Sequence, residues 1–221
     1  MITLALDAST YAGDVAVLIE STVLAEAATA MKGATEERLM PAVADTLARA
    51  GVSVRDIDRV VCGAGPGSFT SLRIAGAIAK GIAMGTGCPL VGVPSMALIV
   101  GGDRRAAGRY LAAVDALRGE FYVGLYDVDA AGAVIEREQA RLVPAGDVAL
   151  LAQELEATII GPSQQHEGIV ATPRARAVAR LEPMLAAYGT VDLATWEPAY
   201  GRLAEAQVRW ESTHGRPLPI A

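Results

Sequence analysis

The chain alternates short apolar runs with polar or glycine-containing breaks, and this pattern is typical of an α/β protein. Short apolar runs in the first half predict strands at residues 2–6, 14–19, 22–28, 59–62 and 89–93. Longer apolar stretches between them predict helices at residues 36–50, 70–85 and 94–100. The first half of the chain is therefore expected to combine both kinds of element.

The first predicted helix carries its own start and stop signals. Thr35 can cap its N-terminus, and Gly51 supplies the stop. Pro41 either bends this helix or marks its true start, because proline lacks the N–H of one helical hydrogen bond. Apolar residues four positions apart indicate the buried face, and they are Leu39, Val43 and Leu47.

The second predicted helix is apolar on nearly every side. Its large and small apolar residues cover more than one face, namely Leu72, Ile74, Ala75, Ile78, Ala79, Ile82, Ala83 and Met84. Such a helix is either buried centrally or shared with a second protein, and the residues favour neither reading. The small side chains among them, together with Gly76, would let another helix approach closely.

A glycine-rich turn, residues 63–68, joins the predicted strand at 59–62 to the second helix. A helix that starts behind such a turn presents free N–H groups, which suit an anion such as phosphate. The alternative is a connection that lets strand and helix pack closely, and the residues favour it. The turn has neither the lysine of a Walker motif nor the spacing of the dinucleotide-binding fingerprint.

The start of the chain is repeated after a polar, glycine-rich link at residues 101–108. In both places an apolar strand ends in an aspartate and a turn leads to a second strand; the aspartates are Asp7 and Asp115. This repeat predicts a duplication with two domains, residues 1–103 and 104–221. Further predicted elements are a helix at 147–157, a strand at 158–160, a helix at 173–188 that Pro183 can interrupt, and an irregular tail from Glu197.

Composition limits the classes of function. The chain is 52% hydrophobic and 20% charged, and its formal net charge is −6 with only two lysines. Such a balance argues against binding of nucleic acid without a partner, because phosphates are neutralised by clustered Lys and Arg. Cys62 and Cys88 form no paired framework and are expected to be reduced. No signal peptide or membrane span is indicated, so we expect a cytoplasmic protein.

Residues for catalysis are scarce in this sequence. Asp7 and Asp115 could hold a metal and a nucleotide in a two-domain phosphotransferase, or each could cap its own turn, which we prefer. The two histidines, His166 and His214, are far apart and have no helical partner. Catalysis by this chain alone is therefore poorly supported, and we expect no metal and no cofactor.

Several segments resemble, in order and spacing, the TsaB family, formerly called YeaZ. The segments are residues 4–10, 38–41, 65–74, 80–83, 91–95, 115–116, 120–122 and 197–202. The resemblance is dense over residues 1–100 and sparser afterwards, and the run Gly-Pro-Gly-Ser-Phe-Thr with a following Leu-Arg is its most specific part.

The resemblance implies an actin-like (ASKHA) α/β fold with two duplicated domains and mixed sheets flanked by helices. It also implies a scaffold that pairs with the catalytic subunit TsaD, with an ATPase subunit, TsaE, binding the pair. Together they transfer a threonylcarbamoyl group to the tRNA adenosine next to the anticodon, so tRNA is reached only through the complex. Without TsaD, a homodimer is expected through the same helices.

The resemblance also assigns site residues. Its catalytic relative holds a metal through a His-x-x-x-His pair, and the corresponding positions here are Ser95 and Ile99, so neither a catalytic nor a metal site is expected. The implied partner surface comprises Leu39, Met40, Val43, Leu47, Leu72, Ala75, Gly76, Ile78, Ala79, Ile82 and Ala83. A residual nucleotide contact would involve Asp7, Gly65, Gly67 and Ser68. The alternative function is an actin-like ATP-dependent kinase or ATPase that uses Asp7 and Asp115.

Overall fold

The computed structural model describes residues 1–31, 37–162 and 167–200, and the single residues 213 and 215. The proposed cap Thr35, both histidines and the tail after residue 200, apart from those two residues, lie outside this part. The first sheet contains β1 (Ile2–Asp7), β2 (Ala12–Ile19), β3 (Thr22–Ala30), β4 (Arg59–Gly63) and β5 (Leu90–Val93). Its spatial order is β3-β2-β1-β4-β5. The first three strands are antiparallel, and β4 and β5 continue the sheet parallel to β1.

The second sheet repeats this arrangement. It contains β6 (Gly108–Asp115), β7 (Glu120–Val128), β8 (Val134–Pro144), β9 (Thr158–Gly161) and β10 (Ile169–Val170). Its order, read from β8, is β8-β7-β6-β9-β10, which matches the first sheet strand for strand. The three leading strands are again antiparallel, and β9 and β10 are again parallel to β6. The expectation of a duplicated actin-like α/β fold is thereby confirmed.

The helices are α1 (Leu39–Ala50), α2 (Phe69–Thr86), α3 (Ser95–Val100), α4 (Val148–Glu154) and α5 (Glu182–Tyr188). Helix α1 begins three residues later than predicted, and Pro41 lies in its first turn, where a missing N–H costs nothing. Pro41 thus marks the helix start instead of bending the helix. Gly51 ends α1 in the left-handed conformation, with φ of 67°, as expected of a stop signal.

Several elements of the second half differ from the prediction, among them the short strand β10, which was not predicted. The segment expected to be helical at residues 173–188 is interrupted, the alternative that Pro183 left open. It forms a 3₁₀ helix, Ala175–Arg180, and α5, because Pro183 fits only near a helix start. Strand β8 was not predicted, because it is an edge strand with six consecutive exposed residues and lacks an apolar alternation. Cys62 and Cys88 are both buried and free.

The two halves of the chain interlock. Helix α3, which follows the first sheet, packs against β6, β7 and β9 of the second sheet, and the 3₁₀ helix Ala175–Arg180 packs against β1, β2 and β3. A central apolar core therefore lies between the sheets, and helices α1 and α2 cover a separate core on the outer face of the first sheet. The boundary at residues 103 and 104 remains a prediction.

Charged groups reinforce this junction. The buried carboxylate of Asp14 on β2 accepts the Ala175 N–H at 2.7 Å and lies 3.0 Å from Nε of Arg174. Arg176 bridges Glu26 of β3, at 2.9 Å, and Asp103, at 2.5 Å. These contacts connect the first sheet to residues 174–176, at the start of the 3₁₀ helix Ala175–Arg180.

Within the described ranges, no helix combines the length and the apolar character that are needed to cross a membrane.

Candidate functional site

The glycines of the turn allow contacts that no side chain would permit. A Cβ at Gly63 would lie 1.8 Å from Oδ2 of Asp7, and one at Gly67 would lie 2.1 Å from the carbonyl oxygen of Ser9. Gly65 has a φ of +95°, which favours glycine. The turn therefore lies directly against the end of β1. Glycine is needed at these positions because a side chain would prevent the two segments from packing so closely.

Three N–H groups of the turn are bonded to protein acceptors. Ala64 N–H donates to the Val93 carbonyl at 2.7 Å, and Gly65 N–H donates to Oγ of Ser95 at 3.0 Å. Ser68 N–H donates to the Ser9 carbonyl at 2.7 Å. Three donors of the turn are therefore already paired within the protein, and these contacts favour the packing interpretation over an anion cradle.

Asp7 is the buried centre of this site. Its Oδ1 accepts the Ser9 N–H at 2.9 Å and the Ser9 hydroxyl at 2.8 Å, and its Oδ2 accepts the Ser95 hydroxyl at 2.5 Å. Burial raises the pKa of Asp7, while the hydrogen bonds from Ser95 and Ser9 act in the opposite direction. The adjacent thiol of Cys62 also has a raised pKa, first because of burial and then because of the Asp7 charge.

Asp115 occupies the equivalent place at the end of β6. It is exposed, and its Oδ1 accepts the Leu117 N–H at 2.7 Å. Asp7 makes the same bond to the residue two positions later in its own turn. Both aspartates therefore cap turns, which is the role that we preferred from the sequence.

Ser95 and Ile99, which the resemblance matches to the metal ligands of the catalytic relative, lie on α3. The Ser95 hydroxyl contacts Asp7 and the Gly65 N–H, and Ile99 is fully buried in the central core. Among the described residues, no group of three His, Cys, Asp or Glu side chains could hold a metal ion. Ser95 thus links the turn to α3.

Most residues assigned to the partner surface are buried within the chain itself. Of the eleven, only Met40 is exposed and only Ile78 is half-buried. The other nine are buried: Leu39, Val43, Leu47, Leu72, Ala75, Gly76, Ala79, Ile82 and Ala83. Their placement on the contact surface needs revision, because the most apolar face of each helix packs on its own sheet.

The exposed side of α1 and α2 carries small residues and methionines, besides polar and charged residues such as Asp45, Arg49 and Arg73. Met84 is 69% exposed and Met40 is 42% exposed. The exposed small residues on the same two helices are Ala44, Ala48, Ala77, Gly81 and Gly85. We call these seven residues the docking face. Sequence reasoning missed most of them, although their position opposite the buried stripe could have indicated them.

The C-terminal segment 191–200, here called the strap, lies beside α2. A Cβ at Gly76 would lie 3.1 Å from Pro198, and one at Gly92 would lie 2.9 Å from Nε1 of Trp196. Lys80 Nζ donates to the Trp196 carbonyl at 3.0 Å, and the Ala199 N–H donates to the Ala64 carbonyl at 2.7 Å. The small side of α2 at Gly76 therefore accommodates this chain's own strap.

Comparison with known proteins places the chain in a family. It is 31% identical to "tRNA threonylcarbamoyladenosine biosynthesis protein TsaB" of Bacillus subtilis over 95% of this chain and 98% of that protein. The chain belongs to the TsaB family. The TsaB protein of Escherichia coli is 40% identical over 58% of this chain and 56% of its own length.

Structural and family-level matches agree with membership of the TsaB family. The structure "YeaZ from Pseudomonas aeruginosa" matches with a TM-score of 0.75 and 29% identity, covering 90% of this chain and 99% of that one. A family model described as "TsaD: tRNA N6-adenosine threonylcarbamoyltransferase" matches residues 22–143. This TsaB-family chain is therefore similar to the transferase over a region from β3 to β8.

Proposed function

We propose that this chain is the non-catalytic subunit that binds and supports TsaD during N6-threonylcarbamoylation of the tRNA adenosine next to the anticodon. The proposal rests mainly on the exposed docking face. It is also supported by the alignment with a TsaB protein over nearly the full length of both chains. An exposed apolar face on two neighbouring helices is typical of a protein contact site.

The contacts of Asp7 and Ser95 support a role without catalysis. A catalytic carboxylate needs access to substrate, but Asp7 is 1% exposed and both of its oxygens accept protein hydrogen bonds. Asp115 is engaged in its own turn. These contacts argue against the alternative of an ATP-dependent kinase that uses both aspartates.

The remaining partners follow from this role. TsaE would bind the pair formed with TsaD, and tRNA would be bound through the complex, consistent with the net charge of −6. Without TsaD, the docking face would self-associate into a homodimer, since a second copy offers the same apolar surface. We place this activity in the cytoplasm.

Reconstitution tests the proposal. The chain and TsaD from the same organism are purified separately, and their association is measured by size-exclusion chromatography with light scattering. Modification of tRNA is then assayed with TsaE and the threonylcarbamoyl-adenylate donor, with and without this chain. We expect a stable pair and modification that depends on this chain. Two folded subunits that neither associate nor cooperate would refute the proposal.

A further inference from the structure

The strap brings two segments that are distant in sequence into contact at the start of α2. The ring of Tyr200, at the end of the strap, lies 4.6 Å from the ring of Phe69, measured between centroids. The two rings are tilted by 49°, an arrangement that is favourable for aromatic pairs. Because Pro198 and Ala199 are seated on Gly76 and Gly65, the strap approaches Phe69 along a defined path.

Arg73 makes a second contact with the Phe69 ring. Its guanidinium carbon lies 5.5 Å from the centre of the Phe69 ring, within the range of a cation–π interaction. Arg73 is exposed, one helical turn after Phe69 on α2. The stack Tyr200–Phe69–Arg73 therefore presents a guanidinium at the N-terminal end of the docking face.

Arg73 forms no ion pair within the described part of the chain. The other cation of α2, Lys80, is instead occupied by the Trp196 carbonyl. An arginine held over a ring keeps its planar donors directed outward, and such a group is suited to a carboxylate of a second protein.

We propose that the Tyr200–Phe69–Arg73 stack is the polar end of the docking face and binds an acidic side chain of TsaD. This inference rests on the proposed function and adds a second segment, the strap, to the contact surface. Tyr200 acts as a positioning residue, since it fixes the ring on which Arg73 lies. The apolar docking face supplies contact area, and Arg73 supplies orientation and a charge-dependent part of the affinity.

The test is the affinity for TsaD at low and high salt. For the unaltered chain, we expect binding to weaken between 50 and 500 mM salt, because an exposed ion pair is screened. We expect Arg73→Gln to weaken binding about threefold to tenfold at low salt and to reduce the salt dependence. Arg141→Gln, which removes an exposed cation from edge strand β8, is the matched control.

The strap is tested by a pair of substitutions at the same position. Tyr200→Ala removes the ring and is expected to weaken binding in the same way as Arg73→Gln, whereas Tyr200→Phe keeps the ring and is expected to bind like the unaltered chain. Urea unfolding of each variant separates loss of the contact from loss of the fold.

The outcomes are distinguishable. If the unaltered chain does not bind TsaD at all, the proposed function itself fails. If it binds but shows no salt dependence, or if Arg73→Gln binds equally well, the stack does not contact an acidic group of TsaD. If Arg73→Gln weakens only the homodimer, the partner of this stack is a second copy, which would also overturn the inference.

Discussion

The Ser95 hydroxyl donates a hydrogen bond of 2.5 Å to the buried carboxylate of Asp7. This bond joins the end of the first strand to the first residue of α3, the helix that packs on the second sheet. The same hydroxyl oxygen accepts the N–H of Gly65 in the glycine turn. One side chain thus holds together β1, the turn and the junction between the halves.

We expect Ser95→Ala to lower the free energy of unfolding by about 1–3 kcal/mol, because it leaves a buried carboxylate without one of its donors. Urea unfolding at pH 7 measures this loss. Combining it with Asp7→Asn gives a double-mutant cycle, in which the two losses should add to more than the loss of the double variant. Strict additivity would mean that the two side chains are not energetically coupled.

Asp14 predicts a pH dependence of stability. Burial raises its pKa to about 6, above the value of 3.8 that is usual for an exposed aspartate. Between these pH values the folded state binds the proton more tightly than the unfolded state, so stability falls as the pH rises. Over this span of about two pKa units, the free energy of unfolding should fall by about 3 kcal/mol.

Asp14→Asn should remove this part of the slope while keeping an acceptor for the Ala175 N–H. The free energy of unfolding is measured by urea at several pH values from 4 to 7 for both proteins, and their difference isolates Asp14 from other titrating groups. Parallel curves for the two proteins would show that Asp14 is not responsible.

Replacement by alanine should have opposite effects on stability at two glycines of the first half. At Gly63 a Cβ would lie 1.8 Å from Asp7, so Gly63→Ala should destabilise by about 3 kcal/mol or more. At Gly81, on the exposed side of α2, nothing lies within 4 Å, so Gly81→Ala should stabilise by about 0.5–1 kcal/mol. Thermal unfolding of the two variants tests this, and equal shifts in the melting temperature would contradict it.

Met84 is the most exposed large apolar residue of the docking face, so Met84→Glu should weaken both self-association and binding to TsaD by at least about tenfold. Since the side chain is 69% exposed, the fold should be retained. Ala79→Glu would not serve here, because Ala79 is fully buried and a charge there would disrupt the core. Light scattering and a titration with TsaD measure the two associations.

Leu150→Glu is the control for this substitution. Leu150 is 58% exposed on α4 in the second half, away from the docking face, and a charge there should leave both associations unchanged. Equal effects of the two substitutions would indicate a general effect of added charge and would remove the docking face from the proposal.

Much of the fold could be read from local patterns. The apolar runs placed most strands, Gly51 and Pro41 marked the ends of α1, and the two strand-ending aspartates indicated the duplication. These features depend on residues close together in sequence, so the sequence carries them directly. Strand β8 was missed because an exposed edge strand is under little pressure to alternate apolar and polar residues.

What the sequence by itself determined was the repeat, while for the glycine turn and the two aspartates it favoured close packing and turn capping over a nucleotide site. Only the tertiary structure decided which faces of α1 and α2 are available to a partner. An apolar stripe looks the same whether it covers its own sheet or a second protein, and burial is a property of everything packed around it. The strap shows this most clearly, since the small residue Gly76 accommodates Pro198, 122 positions later in the chain.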